Sequence, residues 1–198
     1  MTRPLCLYSI GIPPEAGLRW QMHTRYGWHQ IVYEMFAGSN PSTLLWCAQK
    51  TSEYGGKCTV LTDGDITQTR NLTISVQKKI YPMEFLQAER YRFCVECSPR
   101  AREPGARTRS LSVPADRLEE WFVRRSLKWG FHVDQLTVEA VSTSRFTRRG
   151  QQLILPEVEF AGVLTVTDRD AFIRSATLGV GGRYGFGFGL LQLARLSA

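Results

Sequence analysis

The chain has 198 residues, 43% of them hydrophobic and 22% charged, a composition that excludes a disordered segment and supports one large domain or two small ones. A formal net charge of +7 favours an anionic partner, and the excess is uneven: residues 87–198 hold 17 Lys+Arg against 12 Asp+Glu, residues 1–86 hold 8 against 6. No apolar run approaches the ~20 residues of a membrane span and Met1 to Pro14 lacks a secretory h-region, so we expect a cytoplasmic chain without membrane contact, its five cysteines reduced.

Leu5–Ile10 reads as a strand, stopped by Gly11-Ile-Pro-Pro14. Arg19 to Phe36 contains no proline and carries Trp28, Ile31, Val32 and Met35 at helical spacing. Thr43–Gln49 and Lys57–Thr62 read as a hairpin, and Leu72–Ile80 as a further extended stretch. Tyr91–Cys97 starts the second half as a strand, followed by an Arg/Pro/Gly loop to Arg109. Pro114-Ala-Asp116 opens a helix through Leu118, Trp121, Phe122, Arg125 and Trp129, and Gly130 closes it. Leu136–Ser144 and Val158–Val166 read as strands joined by a loop at Arg145–Gly150. A helix over Asp168–Leu178, capped by Asp168, and a strand over Gly189–Leu196 complete the chain. The order is βαββαβ, the ferredoxin-like (RRM-like) pattern, complete in the second half and incomplete in the first. The expected fold is therefore α+β, with two tandem domains, 1–88 and 89–198.

Several features could carry chemistry. Tyr26 and His29, three apart, share a helical face beside the apolar stripe, where a histidine can meet solvent and move protons near neutral pH. Taken alone, that spacing favours a packed helix histidine. Gly179 to Gly189 contains six glycines and fits neither a Walker loop nor a dinucleotide fingerprint. Its Tyr184-Gly-Phe-Gly-Phe188 resembles an RRM aromatic motif, but too little chain follows for another helix and strand. An anion-binding backbone and a structural turn both suit it. Two arginine-rich loops, Arg100–Arg109 and Arg145–Arg149, suit phosphate contacts or mere solvation. Cys94-x-x-Cys97 alternates like a strand, which turns the two thiols to opposite faces. With no second Cys/His pair at ligand spacing, no metal and no cofactor is expected.

Phe160-Ala-Gly-Val-Leu-Thr-Val-Thr-Asp168, followed by the helix and Gly-Val-Gly-x-x-x-Gly-Phe-Gly-Phe-Gly-Leu-Leu-Gln-Leu-Ala194, closely resembles the C-terminal signature of CasE-type CRISPR endoribonucleases. The likeness extends to Arg109-Ser-Leu-Ser-Val-Pro114 and to Tyr26-Gly-Trp-His-Gln-Ile-Val-Tyr33-Glu-Met-Phe36, which is similar to that family's Tyr-x-x-His helix; residues 50–90 match loosely. The resemblance implies cleavage of CRISPR repeat RNA at the base of its stem-loop, within an effector complex, giving crRNA. His29 would be the principal proton-transfer residue with Tyr26 beside it. Arg145, Arg148 and Arg149 would contact the hairpin, and Gly179, Gly181, Gly182, Arg183 and Tyr184 would sit against the RNA; Arg100, Arg102, Arg107 and Arg109 of the other basic loop are RNA-contact candidates by their charge. The family often has lysine where this chain has Tyr184, so that cation is either absent or supplied by Arg183. Because RNA carries its own 2′-OH nucleophile, such cleavage needs no metal and leaves a 2′,3′-cyclic phosphate. A non-catalytic crRNA-binding subunit is the alternative, and a basic module that binds no RNA a third reading.

Overall fold

The structure, a computed structural model, describes residues 3–20, 22–50, 52, 55–69, 73–102, 110–148 and 150–196. Two four-stranded antiparallel sheets carry the architecture. The first is built from β1 (Cys6–Ile12), β2 (Leu44–Lys50), β3 (Gly56–Thr62) and β4 (Ser75–Ile80) in the order β2-β3-β1-β4. The second uses β5 (Arg90–Cys97), β8 (Phe131–Arg148), β9 (Gln151–Val166) and β10 (Gln192–Arg195) in the order β10-β5-β9-β8. Each is the ferredoxin-like strand order. Only the second has both helices, α3 (Leu118–Ser126) and α4 (Arg169–Leu178); no helix is described between β3 and β4. Between β5 and β8 in sequence, two short strands, β6 (Arg100–Arg102) and β7 (Ser110–Ser112), pair with each other.

The helix expected over Arg19–Phe36 is shortened to α2 (Arg25–Phe36), and a separate short helix, α1 (Pro14–Arg19), ends where it was expected to begin. The reason is Thr24, whose backbone is extended and whose Oγ1 accepts from the Gly27 N–H at 3.0 Å, an N-cap that starts a new helix. On α2 the buried side is Gly27, Trp28, Ile31, Val32, Met35 and Phe36, which pack with Ile10, Val60 and Trp46 of the first sheet. Asp168 caps α4 as expected, accepting from Ala171 N at 3.0 Å. Gly130 stops the α3 segment with φ +85°, and a methyl there would lie 2.3 Å from Phe172 N, so both the conformation and the space require glycine. In the second core Phe93, Phe122, Phe131, Phe160 and Phe172 are buried together.

The strands expected at Leu136–Ser144 and Val158–Val166 are much longer. They pair from Phe131↔Val166 to Arg148↔Gln151, interrupted only by shifts at Val133/Gln135 and Val138/Ala140. Arg145 and Arg148 are therefore strand residues, not loop residues. The ribbon is roughly 50 Å long at the usual rise, and its far end reaches back to α2. There Leu155, Phe186 and Phe188 form a small buried cluster with Tyr26, Phe146 and Leu153 packed against it, joining the two halves of the chain. The closing strand is shorter than expected, since Gly189–Leu191 precede β10. No described helix is long and apolar enough to cross a membrane.

Candidate active site between the two sheets

His29 lies where α2, the ribbon and the glycine-rich loop meet. Its ring is 5.0 Å from that of Phe186, 5.7 Å from Tyr26 and 4.5 Å from Tyr33. Nδ1 is 2.6 Å from the Gly185 carbonyl, which can only accept, so the neutral imidazole carries its proton on Nδ1 and leaves the Nε2 lone pair free. Burial pushes the imidazole below its usual pKa and the charge of Arg148 adds to that, while the Gly185 carbonyl works against both. The net effect favours a neutral base at neutral pH. Tyr26, half-buried, stacks between His29 and Phe146, the latter at 5.4 Å and 11°. The expected Tyr26–His29 face is thus present, pressed against a ribbon from the second half.

Arg148 holds its guanidinium 5.7 Å from the centre of the Phe186 ring, so Phe186 has Arg148 and His29 as neighbours. Its charge acts on Tyr33 as well as on His29, and among the described residues no carboxylate pairs with it. Arg145 is three positions away on the same strand and so faces the opposite side, where it is exposed. The expected single cluster of ribbon arginines is therefore divided between two faces. Arg107, Arg109 and Arg149 lie outside the described residues, as does the side chain of Arg102.

In the glycine-rich loop most glycines serve internal packing. A methyl on Gly179 would lie 2.9 Å from both Leu45 and the Tyr184 ring, one on Gly181 3.1 Å from Cys97 Sγ, and one on Gly187 2.5 Å from Trp46. Gly182 alone of the expected RNA-facing glycines opens onto free space, with φ +90°. Beside it Arg183 is exposed in a left-handed conformation, φ 62°, and Tyr184 donates to the Gly179 carbonyl at 3.2 Å. Phe186 and Phe188 of the RRM-like string are buried, so neither offers a face to a base. Arg100 sits close enough to Arg183 for their charges to oppose: burial first, then Arg183, lowers the Arg100 pKa.

Arg25 carries the junction and was not marked by its sequence. From the first turn of α2 it pairs with Glu157 at 2.5 Å and with Glu96, donates to the Phe186 carbonyl at 3.0 Å, and lies 4.2 Å over the Phe188 ring. Its side chain is 12% exposed. Hydrogen bonds from Arg25, Ser144 and Ser142 hold the Glu157 carboxyl below its usual range despite burial, whereas burial dominates at Glu96 and raises it. Tyr33 and Phe146 were also missed. The one legible signal was Tyr33's place four residues after His29. Cys97 is buried and Cys94, on the opposite face, has its thiol pushed up to about 12 by burial, which makes it a poor nucleophile. No group of three or more metal-ligating side chains is found among the described residues.

A family model described as CRISPR associated protein matches residues 9–195. The structure of CRISPR endoribonuclease Cse3 bound to 19 nt RNA superimposes with a TM-score of 0.81 at 19% identity, covering 97% of this chain and 100% of that one. Thermus thermophilus Cse3, bound to an RNA representing a pre-cleavage complex, gives 0.78 at 19%, with 97% and 100% covered. The CRISPR-associated protein Cas6e from Escherichia coli str. K-12 gives 0.72 at 20%, with 96% and 100% covered. Likeness at such identities speaks for a shared fold. No curated protein sequence matches. The family match spans nearly the whole sequence, and the chain belongs to the CRISPR associated protein family.

Proposed function

We propose that this protein is a metal-independent endoribonuclease that binds CRISPR repeat stem-loops and cuts precursor crRNA at the stem base. The observation that carries the reading is the Nδ1 contact of His29 with the Gly185 carbonyl, which frees Nε2 as a base in a site that burial and Arg148 keep neutral. Nε2 takes the proton of the 2′-OH 5′ to the cut. The 2′ oxygen then bonds to phosphorus, the bond from phosphorus to the 5′ oxygen breaks, and that oxygen takes a proton from Tyr26, which recovers one from His29. The products are a 2′,3′-cyclic phosphate and a 5′-OH. Charge gathers on the non-bridging oxygens during this displacement, and Arg148 is the cation that meets it, a role supported by its position beside the Phe186 ring that His29 also neighbours. Arg100, Arg183 and Arg145 contact stem phosphates, since an A-form stem is read by shape and backbone.

Two ferredoxin-like domains, 1–88 and 89–198, frame this site. Crossing residues such as Arg25 make them one working unit. The protein acts in the cytoplasm beside other subunits of a CRISPR effector complex. Incubation with a repeat RNA in EDTA tests the reading: cleavage giving a 2′,3′-cyclic end supports it. Binding without cleavage would instead identify a crRNA-binding subunit, and loss of cleavage restored by magnesium would overturn the mechanism.

A further inference from the structure

Among the described residues, Tyr33 and Tyr184 are the only well-exposed aromatic side chains, 41% and 37% accessible, and both line one cleft. That cleft, of about 630 Å³, runs between the C-terminal end of α2, β2 and the end of α4. Leu178, 56% exposed, lies on its wall, as does Asn40, whose side-chain amide makes no hydrogen bond among the described residues. The Tyr184 ring is held in place by close contact with Gly179 and Gly189, at both of which a methyl would lie 2.9 Å from it. Tyr33 links the cleft to the candidate active site: its ring is 4.5 Å from that of His29, and its hydroxyl would lie 3.1 Å from a methyl on Gly185.

We infer that this cleft is a base-stacking subsite for one unpaired nucleotide flanking the scissile phosphate. The inference rests on the ribonuclease reading above and goes beyond it by naming what fixes the RNA at the cut. Every base has a π-face, and exposed tyrosines in a partly apolar cleft are the surface on which an unstacked base recovers the stacking it loses. Asn40 supplies one donor and one acceptor to a base edge, and Leu178 covers apolar area. A base held against Tyr33 brings its own sugar and phosphate to His29 and Arg148, which converts binding into in-line positioning.

The test uses the full chain and a repeat RNA with a 2′-deoxy nucleotide at the cut, which binds but cannot be cleaved. 2-Aminopurine replaces each flanking nucleotide in turn. Stacking quenches its fluorescence, so one of the two positions is expected to dim on binding. Tyr184→Leu, and separately Leu178→Glu to put a negative charge on the cleft wall, should restore the signal and weaken binding by about ten-fold, the order of one base–aromatic stack. Leu178 is exposed and belongs to none of the packed clusters, so that variant reports even where Tyr184→Leu disturbs the loop. Unchanged fluorescence at both positions with RNA bound would overturn the subsite alone. Failure of the wild-type chain to bind repeat RNA would overturn both this inference and the ribonuclease reading.

Discussion

His29 and Gly185 lie 156 residues apart in sequence and 2.6 Å apart across the junction, imidazole Nδ1 against backbone carbonyl. A first-half side chain thus has its tautomer set by a second-half loop. Replacing His29 by alanine should lower single-turnover cleavage of repeat RNA by about 10²–10⁴-fold while leaving affinity within a few-fold. Near wild-type cleavage by that variant would remove His29 from the mechanism.

The pH profile carries a second prediction. His29 must be neutral to accept a proton, so the rate should rise with pH through its lowered pKa and level off at neutral pH. Arg148 contributes to that lowering, so Arg148→Ala should raise the His29 pKa and move the rising limb to higher pH. Its plateau should also fall, by about 10²-fold, since a transition-state cation is gone. A lowered plateau with the limb unmoved would separate Arg148 from His29.

Arg145 should behave differently, because the strand turns it to the other face of the ribbon. Arg145→Ala should weaken RNA binding and reduce its dependence on log[salt] by roughly 0.7–0.9, the share of one phosphate that the side chain no longer neutralises. Cleavage at saturating protein should stay near wild type. Affinities across a salt series check this, and an unaltered slope would leave Arg145 a solvated residue.

Arg25→Met should be costly to the fold. Removing the cation leaves Glu96 and Glu157 largely buried without their partner, and breaking such a group costs about 3–5 kcal/mol. For a chain of this size the melting temperature should drop on the order of 10 °C. Thermal unfolding followed by circular dichroism measures it; a shift of a degree or two would show that the network contributes little.

Local relationships were legible in the sequence, and crossing ones were not. Tyr26 and His29 could be placed on one face because helical spacing dictates it, and Asp168 and Gly130 carry their capping chemistry in their side chains, or in the lack of one. The ferredoxin-like pattern followed from element order in the second half and only incompletely in the first. Thr24 was missed as a cap because no proline marks a break between Arg19 and Phe36, although the apolar stripe begins only at Trp28. The ribbon was cut short at Ser144 because Ser, Thr and Arg on an exposed strand look like loop; pairing with β9, not hydrophobic alternation, keeps Arg145–Arg148 extended. Arg25, Phe146 and Arg148 became recognisable only once residues distant in sequence were brought together. The glycine-rich loop was noticed for its backbone freedom, yet most of its glycines make room for Trp46, Cys97 and Tyr184.

The pairing of His29 with Gly185 also has a timing. Translation runs from the first half to the second, so α2 is made well before its carbonyl partner. At about 5–20 residues per second, the 156 intervening residues take roughly 8–30 s to synthesise. Throughout that interval a nascent chain bearing His29 lacks the Gly185 carbonyl that fixes its tautomer. On the proposed mechanism, a ribosome-bound fragment ending before Gly185 lacks the carbonyl that sets the His29 tautomer, so the site is completed only when the loop arrives.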